Sequence, residues 1–123
     1  MATILVVDDS STDTYRYQKM LEGYGYRIIT AANGQDGIKK AQLERPQIIL
    51  MDIVMPGMSG FQATRQMARD PQTADIPIII VSNKNQESDR AWALRQGARD
   101  YIVKGSSEEK VVEKIQSILS ISG

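Results

Sequence analysis

The chain of 123 residues contains neither cysteine nor histidine. Without these residues it cannot provide a thiol nucleophile, a Ser-His-Asp triad or a zinc site with histidine ligands. Any chemistry must therefore use carboxylates, hydroxyls, lysine amines and the backbone. These groups suit hard cations such as Mg²⁺ and the oxygens of phosphoryl groups.

Other absences restrict the expected partners and location. The 15 basic and 15 acidic residues cancel, so no basic surface field indicates binding to nucleic acid. No apolar run is long enough to span a bilayer. Residues 1–3 lead directly into a predicted strand, without the basic region and cleavage site of a signal peptide. We therefore expect a cytoplasmic protein that binds neither a membrane nor nucleic acid.

Five short apolar runs alternate with five segments of helical periodicity. The predicted strands cover residues 3–7, 26–31, 48–51, 78–81 and 101–103. Residues 87–96 are predicted to form the fourth helix, with Ala91, Leu94 and Ala98 on one face. This alternation predicts an α/β fold, a five-stranded parallel sheet covered by helices on both faces. We predict the doubly wound (βα)5 flavodoxin-like order 2-1-3-4-5, in one domain over residues 1–123 with no output domain.

Polar residues follow four of these strands at the same predicted edge of the sheet: Asp8 with Asp9, Asp52, Ser82 and Lys104. In an open parallel sheet, ligands bind at the carboxyl ends of the strands. Asp52 alone could be a metal ligand, a nucleophile or a helix cap. Together with Asp8 and Asp9 it forms a cluster of like charges, which raises the pKa of carboxyl groups unless a cation binds. The cluster therefore predicts a Mg²⁺ site.

The chemistry that suits this edge is phosphoryl transfer. Asp52 would attack phosphorus and become an aspartyl phosphate, as carboxylate nucleophiles do. The cation and Lys104 would neutralise the phosphoryl oxygens, and the hydroxyl of Ser82 can donate to one of them.

Over its whole length the chain resembles the response-regulator receiver domains of the chemotaxis-regulator type. The residues that carry this resemblance are Asp8-Asp9, the segment 51–60 around Asp52, and then Ser82, Tyr101 and Lys104. Within that family, segments 60–66 and 95–101 are similar to the twitching-motility regulators of type IV pilus systems.

The resemblance implies roles for individual residues. Asp9 and Asp52 would bind Mg²⁺ directly, Asp8 through water, and the backbone carbonyl of Val54 would be a further ligand. No other cofactor is expected. Asp52 would be the phosphoacceptor, assisted by the lysine and serine at the neighbouring strand ends.

Signal output is implied in the same way. Ser82 and Tyr101 would form a switch pair, in which the hydroxyl follows the phosphoryl group and the ring follows the hydroxyl. On residue type alone, Tyr101 is equally an aromatic packed at a strand edge, and Trp92 a packing residue of the fourth helix. The protein would be a monomeric signalling module rather than an enzyme. It would accept phosphate from a partner histidine kinase and present a changed helix 4–strand 5–helix 5 surface to a downstream protein, in pilus-driven motility or chemotaxis.

The sequence departs from the family pattern at three places. Asn83 stands where the family has a small residue, and Val54 and Lys84 occupy positions that influence attack by water on the phosphate. Gly105 follows the site lysine where the family has proline. A cis bond before a residue other than proline is costly, so we predict a trans bond between Lys104 and Gly105.

Other functions of this fold are less compatible with these residues. An adaptor that binds its partner without phosphate remains the alternative, if Gly105 has uncoupled the switch. Small phosphatases with an aspartate nucleophile need a second acid two residues later, where Val54 stands. A nucleotide or flavin protein would need a glycine-rich loop after the first strand.

Overall fold

The computed structural model describes residues 2–122 as alternating strands and helices. The strands are β1 (Thr3–Val7), β2 (Arg27–Ala31), β3 (Ile48–Met51), β4 (Ile78–Ser82) and β5 (Asp100–Val103). The helices are α1 (Ser11–Glu22), α2 (Gly34–Glu44), α3 (Gly60–Arg69), α4 (Glu87–Gln96) and α5 (Glu108–Ser122). Met1 and Gly123, which the predicted domain includes, lie outside the described residues.

All neighbouring strands pair in parallel, in the order β2-β1-β3-β4-β5. The predicted fold is therefore confirmed. The chain reverses its direction of winding between β2 and β3, so β1 and β3 lie side by side, with Val7 opposite Met51. This arrangement places the ends of β1 and β3 together at the switch point of the sheet, where ligands bind in such folds.

Both faces of the sheet are buried, which explains why its strands are continuous apolar runs. Leu5 and Val7 point into one core, whereas Ile4 and Val6 point into the other. The first core is closed by small and apolar residues of α2, α3 and α4, among them Ala41, Ala63, Met67 and Ala93. The second is closed by α1 and α5, through residues such as Tyr17, Leu21, Val111, Ile115 and Ile118. Packing on both faces holds the sheet in place, and with it the residues at the carboxyl ends of its strands.

Side-chain caps start three helices directly after the loops that leave this edge. The side chain of Ser10 accepts a hydrogen bond from an amide in the first turn of α1, and Asn33 does the same for α2. Ser59 and Gln62 form a reciprocal capping box at α3. Each cap satisfies an amide that has no partner within its helix, and is worth about 1 kcal/mol.

The apolar spacing in helix α4 does not indicate the face that it buries. Its bounds are as predicted, but Ala91 is exposed and Leu94 is 41% exposed, whereas Ala93 is fully buried. Of the three apolar residues predicted on one face, only Ala98 is buried, and it follows the helix; α4 itself covers the sheet through the small side chain of Ala93. Trp92, expected to pack on the helix, is 48% exposed. Among the helices of residues 2–122, none has the length and apolar character needed to cross a membrane.

Candidate functional site

The three predicted acids lie together at the switch point. The amide of Asp8 donates to the carbonyl of Ala31 at 3.0 Å, and the amide of Asp52 donates to the carbonyl of Val7 at 2.9 Å. These bonds continue the sheet pairing by one residue and hold both carboxylates side by side. Asp8, Asp9 and Asp52 each offer a carboxylate oxygen, and these oxygens lie within 4.8 Å of one another. Asp8 and Asp52 are buried, whereas Asp9 is exposed.

Asp52 is poorly stabilised as an anion in this arrangement. Burial and the nearby charge of Asp8 raise the pKa of Asp52 to about 6. The ammonium of Lys104 and the amide of Ile53, which donates to Asp52 Oδ1 at 2.9 Å, oppose this rise without cancelling it. A cation bound beside Asp8 and Asp52 would offset the repulsion between the two carboxylates and lower the pKa of Asp52.

Lys104 reaches the acids from the end of β5. Its amide donates to the carbonyl of Ser82 at 2.7 Å, which extends the pairing of β4 with β5. The Nζ atom lies 3.0 Å from Asp8 Oδ2 and 3.6 Å from Asp52 Oδ1. Its shortest ion pair, at 2.8 Å, is with Asp13 Oδ2. Burial lowers the pKa of Lys104, but hydrogen bonds to Asp13 and Asp8 outweigh it and raise the pKa above the usual value.

Asp13 is a site residue that the sequence prediction missed. Its amide lies in the first turn of α1 and donates to the Ser10 cap at 3.2 Å. Its carboxylate instead turns toward the end of β5, 91 residues further along the chain. The available signal was its position in the first turn of the helix that follows Asp8 and Asp9.

Gly105 forms a tight turn directly after the lysine. Its φ of +93° and the bond from the Ser106 amide to the Val103 carbonyl, 3.1 Å long, are those of a type II turn. Among residues 2–122 every peptide bond is trans, so the predicted trans bond between Lys104 and Gly105 is confirmed. Glycine is suited to this third turn position because it tolerates a positive φ.

The loop after Asp52 folds back over the phosphoacceptor candidate. The amide of Gly60, the first residue of α3, donates to the carbonyl of Ile53 at 2.8 Å. A Cβ atom at Gly60 would lie 1.9 Å from the backbone oxygen of Asp52, so any other residue would displace the loop. Val54 lies in this loop with 65% of its surface exposed, at the mouth of the site.

Ser82 and Tyr101 meet at the backbone of Lys84. Ser82 Oγ accepts a hydrogen bond from the Lys84 amide at 3.2 Å, and the Tyr101 hydroxyl donates to the Lys84 carbonyl at 2.8 Å. Both side chains are buried, and burial raises the pKa of Tyr101. The predicted switch pair is therefore joined through the backbone of one residue of the β4–α4 loop, a link that residue types alone do not reveal.

Comparison with known proteins identifies the family. Residues 4–116 match the family model of the response regulator receiver domain. The chain belongs to this family. The resemblance predicted from the segment around Asp52 and from the strand-end residues is thus confirmed.

The receiver is similar to proteins of known sequence over nearly its whole length. It is 51% identical to Protein PilH of Pseudomonas aeruginosa over 120 residues, 98% of this chain and 99% of PilH. It spans only about half the length of several transcriptional regulators that it also matches.

Solved structures of related proteins have the same fold as this receiver. The chemotaxis protein CheY4 of Vibrio cholerae superposes with a TM-score of 0.90 at 29% identity, covering 96% of this receiver and 98% of that chain. The receiver domain of a Pseudomonas aeruginosa sensor histidine kinase, with a magnesium ion coordinated in its active-site cleft, has a TM-score of 0.90 at 28% identity. The second comparison covers 97% of this chain and 98% of the kinase receiver domain.

The side chains of this receiver fit a divalent cation of the same kind. Asp8, Asp9 and Asp52 provide hard oxygen ligands within reach of one point, and two of them are held by sheet pairing. Burial and then the negative charge of Asp8 raise the pKa of Asp52, and a cation bound beside these carboxylates would favour its ionised form.

Proposed function

We propose that this receiver is a response regulator of a two-component phosphorelay. Asp52 accepts a phosphoryl group from the histidine of a partner kinase in a Mg²⁺-dependent reaction. The observation that carries this proposal is the convergence of Asp8, Asp9 and Asp52 with the ammonium of Lys104, at the edge of the sheet where Ser82 ends β4. Membership of the receiver family supports the same chemistry.

In the proposed reaction an oxygen of the Asp52 carboxylate attacks the phosphorus of a phosphohistidine. A new O–P bond forms, the P–N bond to the donor imidazole breaks, and the imidazole leaves with the electron pair. Asp8, Asp9 and Asp52 would hold Mg²⁺, with the Val54 carbonyl predicted as a further ligand. The bound ion supplies positive charge for the phosphoryl oxygens. Lys104 adds an ammonium at the same edge, and positioning supplies most of the rate enhancement.

Signal transmission would start at Ser82. A phosphoryl oxygen on Asp52 would accept a hydrogen bond from the Ser82 hydroxyl, and turning the hydroxyl toward it would weaken the bond that its oxygen accepts from the Lys84 amide. Any movement of Lys84 then reaches Tyr101, whose hydroxyl is bound to the carbonyl of the same residue. The surface of α4, β5 and α5, which includes the half-exposed Trp92, would change and be read by a downstream protein.

The pathway is proposed from the relatives. Segments 60–66 and 95–101 resemble the twitching-motility regulators of type IV pilus systems, and the similarity to PilH covers 98% of this chain and 99% of PilH. We therefore place this receiver in the control of pilus-driven motility or a related chemotaxis-like response. The cytoplasmic location and the monomeric state stay predictions from the sequence.

Phosphate uptake tests the proposal directly. The protein is incubated with Mg²⁺ and a small phosphodonor, and its intact mass is measured. The wild type should gain one phosphoryl group, whereas Asp52→Asn should gain none. Asp36→Asn is the matched control, since Asp36 is an exposed acid in the first turn of α2. Equal uptake by Asp52→Asn would refute the assignment, and no uptake by the wild type would favour the phosphate-independent adaptor.

A further inference from the structure

Lys104 lies closer to an acid outside the predicted site than to the phosphoacceptor. Its Nζ atom is 2.8 Å from Asp13 Oδ2 and 3.6 Å from Asp52 Oδ1. We propose that Asp13 is a positioning residue that holds the Lys104 ammonium toward α1 and thereby slows phosphoryl transfer to Asp52. This inference rests on the proposed function, because it concerns the rate of that same reaction.

Asp13 is fixed well enough to act on the ammonium. Its amide donates to Ser10 Oγ at 3.2 Å, and the Ser10 amide donates to Asp8 Oδ1 at 2.8 Å. The first turn of α1 is thus tied to the same acid that Lys104 contacts. The side chain of Asp13 is 24% exposed and that of Lys104 is 11% exposed. Solvent therefore screens this pair less than an ordinary surface ion pair.

The contact opposes the reaction in two ways. An ammonium has three N–H donors, and those bound by Asp13 and Asp8 are not available to a phosphoryl oxygen. The carboxylate of Asp13 also cancels part of the positive charge that should stabilise a phosphoryl group on Asp52. Phosphoryl transfer would then require Lys104 to leave Asp13 or to share its charge with it.

Asp13→Asn tests the effect of the charge of Asp13 separately from that of its hydrogen bond to Lys104. The side chain keeps its size and an oxygen that can accept from Lys104, but it loses the negative charge. At saturating Mg²⁺ we expect Asp13→Asn to take up phosphate from a small phosphodonor about fivefold faster than the wild type. This ratio corresponds to ~1 kcal/mol, the scale of a partly screened ion pair.

Asp36→Asn is a closely matched control. Asp36 occupies the same position of α2 as Asp13 does of α1, and its amide is likewise held by the helix cap, at 2.9 Å from Asn33 Oδ1. The substitution changes an identical residue in an equivalent helical turn at a place remote from Lys104. Its uptake rate should equal that of the wild type.

A double-mutant cycle with Lys104→Gln tests whether Asp13 acts through the lysine. Asp13→Asn should accelerate uptake only when Lys104 is present. Unfolding in a metal chelator gives a second readout that does not depend on phosphate: the two substitutions should be non-additive, because each removes one charge of the same ion pair. If Lys104→Gln does not fold without metal, Lys104→Arg takes its place in the cycle, and there we expect a smaller acceleration.

The uptake and unfolding measurements either support or overturn the proposed role of Asp13. Faster uptake by Asp13→Asn that disappears with the Lys104 substitution supports the inference. An unchanged or lower rate, an acceleration that persists without Lys104, or additive unfolding energies would overturn it while Asp52 still takes up phosphate. Failure of every variant to take up phosphate would instead overturn the proposed function, and this inference with it.

Discussion

Asp52→Asn should stabilise the metal-free protein. Burial and the charge of Asp8 raise the pKa of Asp52 from 3.8 to about 6. The folded state therefore binds this proton more tightly than the unfolded state, and ionising Asp52 opposes folding. A shift of roughly two units corresponds to about 3 kcal/mol of unfolding free energy once Asp52 is fully ionised. Asparagine resembles the protonated acid and can still accept from the Ile53 amide.

The pH dependence gives this prediction its signature. Below about pH 4 both folded and unfolded states keep the proton, and the penalty vanishes. As the pH rises toward about 6 the unfolded state loses its proton first, so the wild type loses stability relative to the variant. The gain of Asp52→Asn over the wild type should be about 3 kcal/mol near pH 8 and about half of that near pH 5.

Urea unfolding in the presence of a chelator measures this difference. Wild type and Asp52→Asn are compared at each pH, with Asp36→Asn as a control for the loss of one exposed acid. A variant that is no more stable than the wild type near pH 8, or a gain that does not change with pH, would show that the reasoning about repulsion at Asp52 is wrong.

Three further predictions concern the metal, the loop and the lifetime of the phosphate. Mg²⁺ at ten times its Kd should stabilise the wild type by about 1.4 kcal/mol in thermal or urea unfolding, and no response would refute a metal site. Gly60→Ala should lower the free energy of unfolding by about 3 kcal/mol or more, because its Cβ would overlap the backbone oxygen of Asp52. Gly57→Ala should lower it by only about 1 kcal/mol, because the positive φ is its one obstacle. Equal losses in urea unfolding would contradict this packing. Val54→Asn should speed loss of phosphate, since an exposed apolar side chain cannot orient water; a decay assay that shows the same or slower loss would exclude this explanation.

Much of the fold and of the site could be predicted because the same physical cause fixes both. The runs around Val7 and Met51 are apolar on both faces, and only a sheet covered by helices on both sides buries them. Once β1 and β3 are neighbours, the acids that follow them must meet. The positions of Asp8 and Asp52 then depend on sheet pairing, which a sequence pattern predicts well.

The missed features depend on side-chain direction rather than on pairing. The contact between Asp13 and Lys104 joins residues far apart in the chain, and nothing in the spacing of α1 indicates which way Asp13 turns. The apolar spacing in α4 did not indicate its buried face, because a helix that packs through Ala93 alone has almost no apolar stripe to detect. The link between Ser82 and Tyr101 uses the backbone N–H and C=O groups of Lys84, which residue types do not indicate.

The most direct test of phosphate transfer is to locate the modified residue. After incubation with Mg²⁺ and a small phosphodonor, borohydride reduction converts an aspartyl phosphate into a stable product, and peptide mass spectrometry then identifies its position. We predict that the reduced product is found at Asp52 alone, and that it disappears when a chelator removes Mg²⁺. Modification at Asp8 or Asp9 instead, or labelling of Asp52 that does not depend on Mg²⁺, would contradict the proposed reaction.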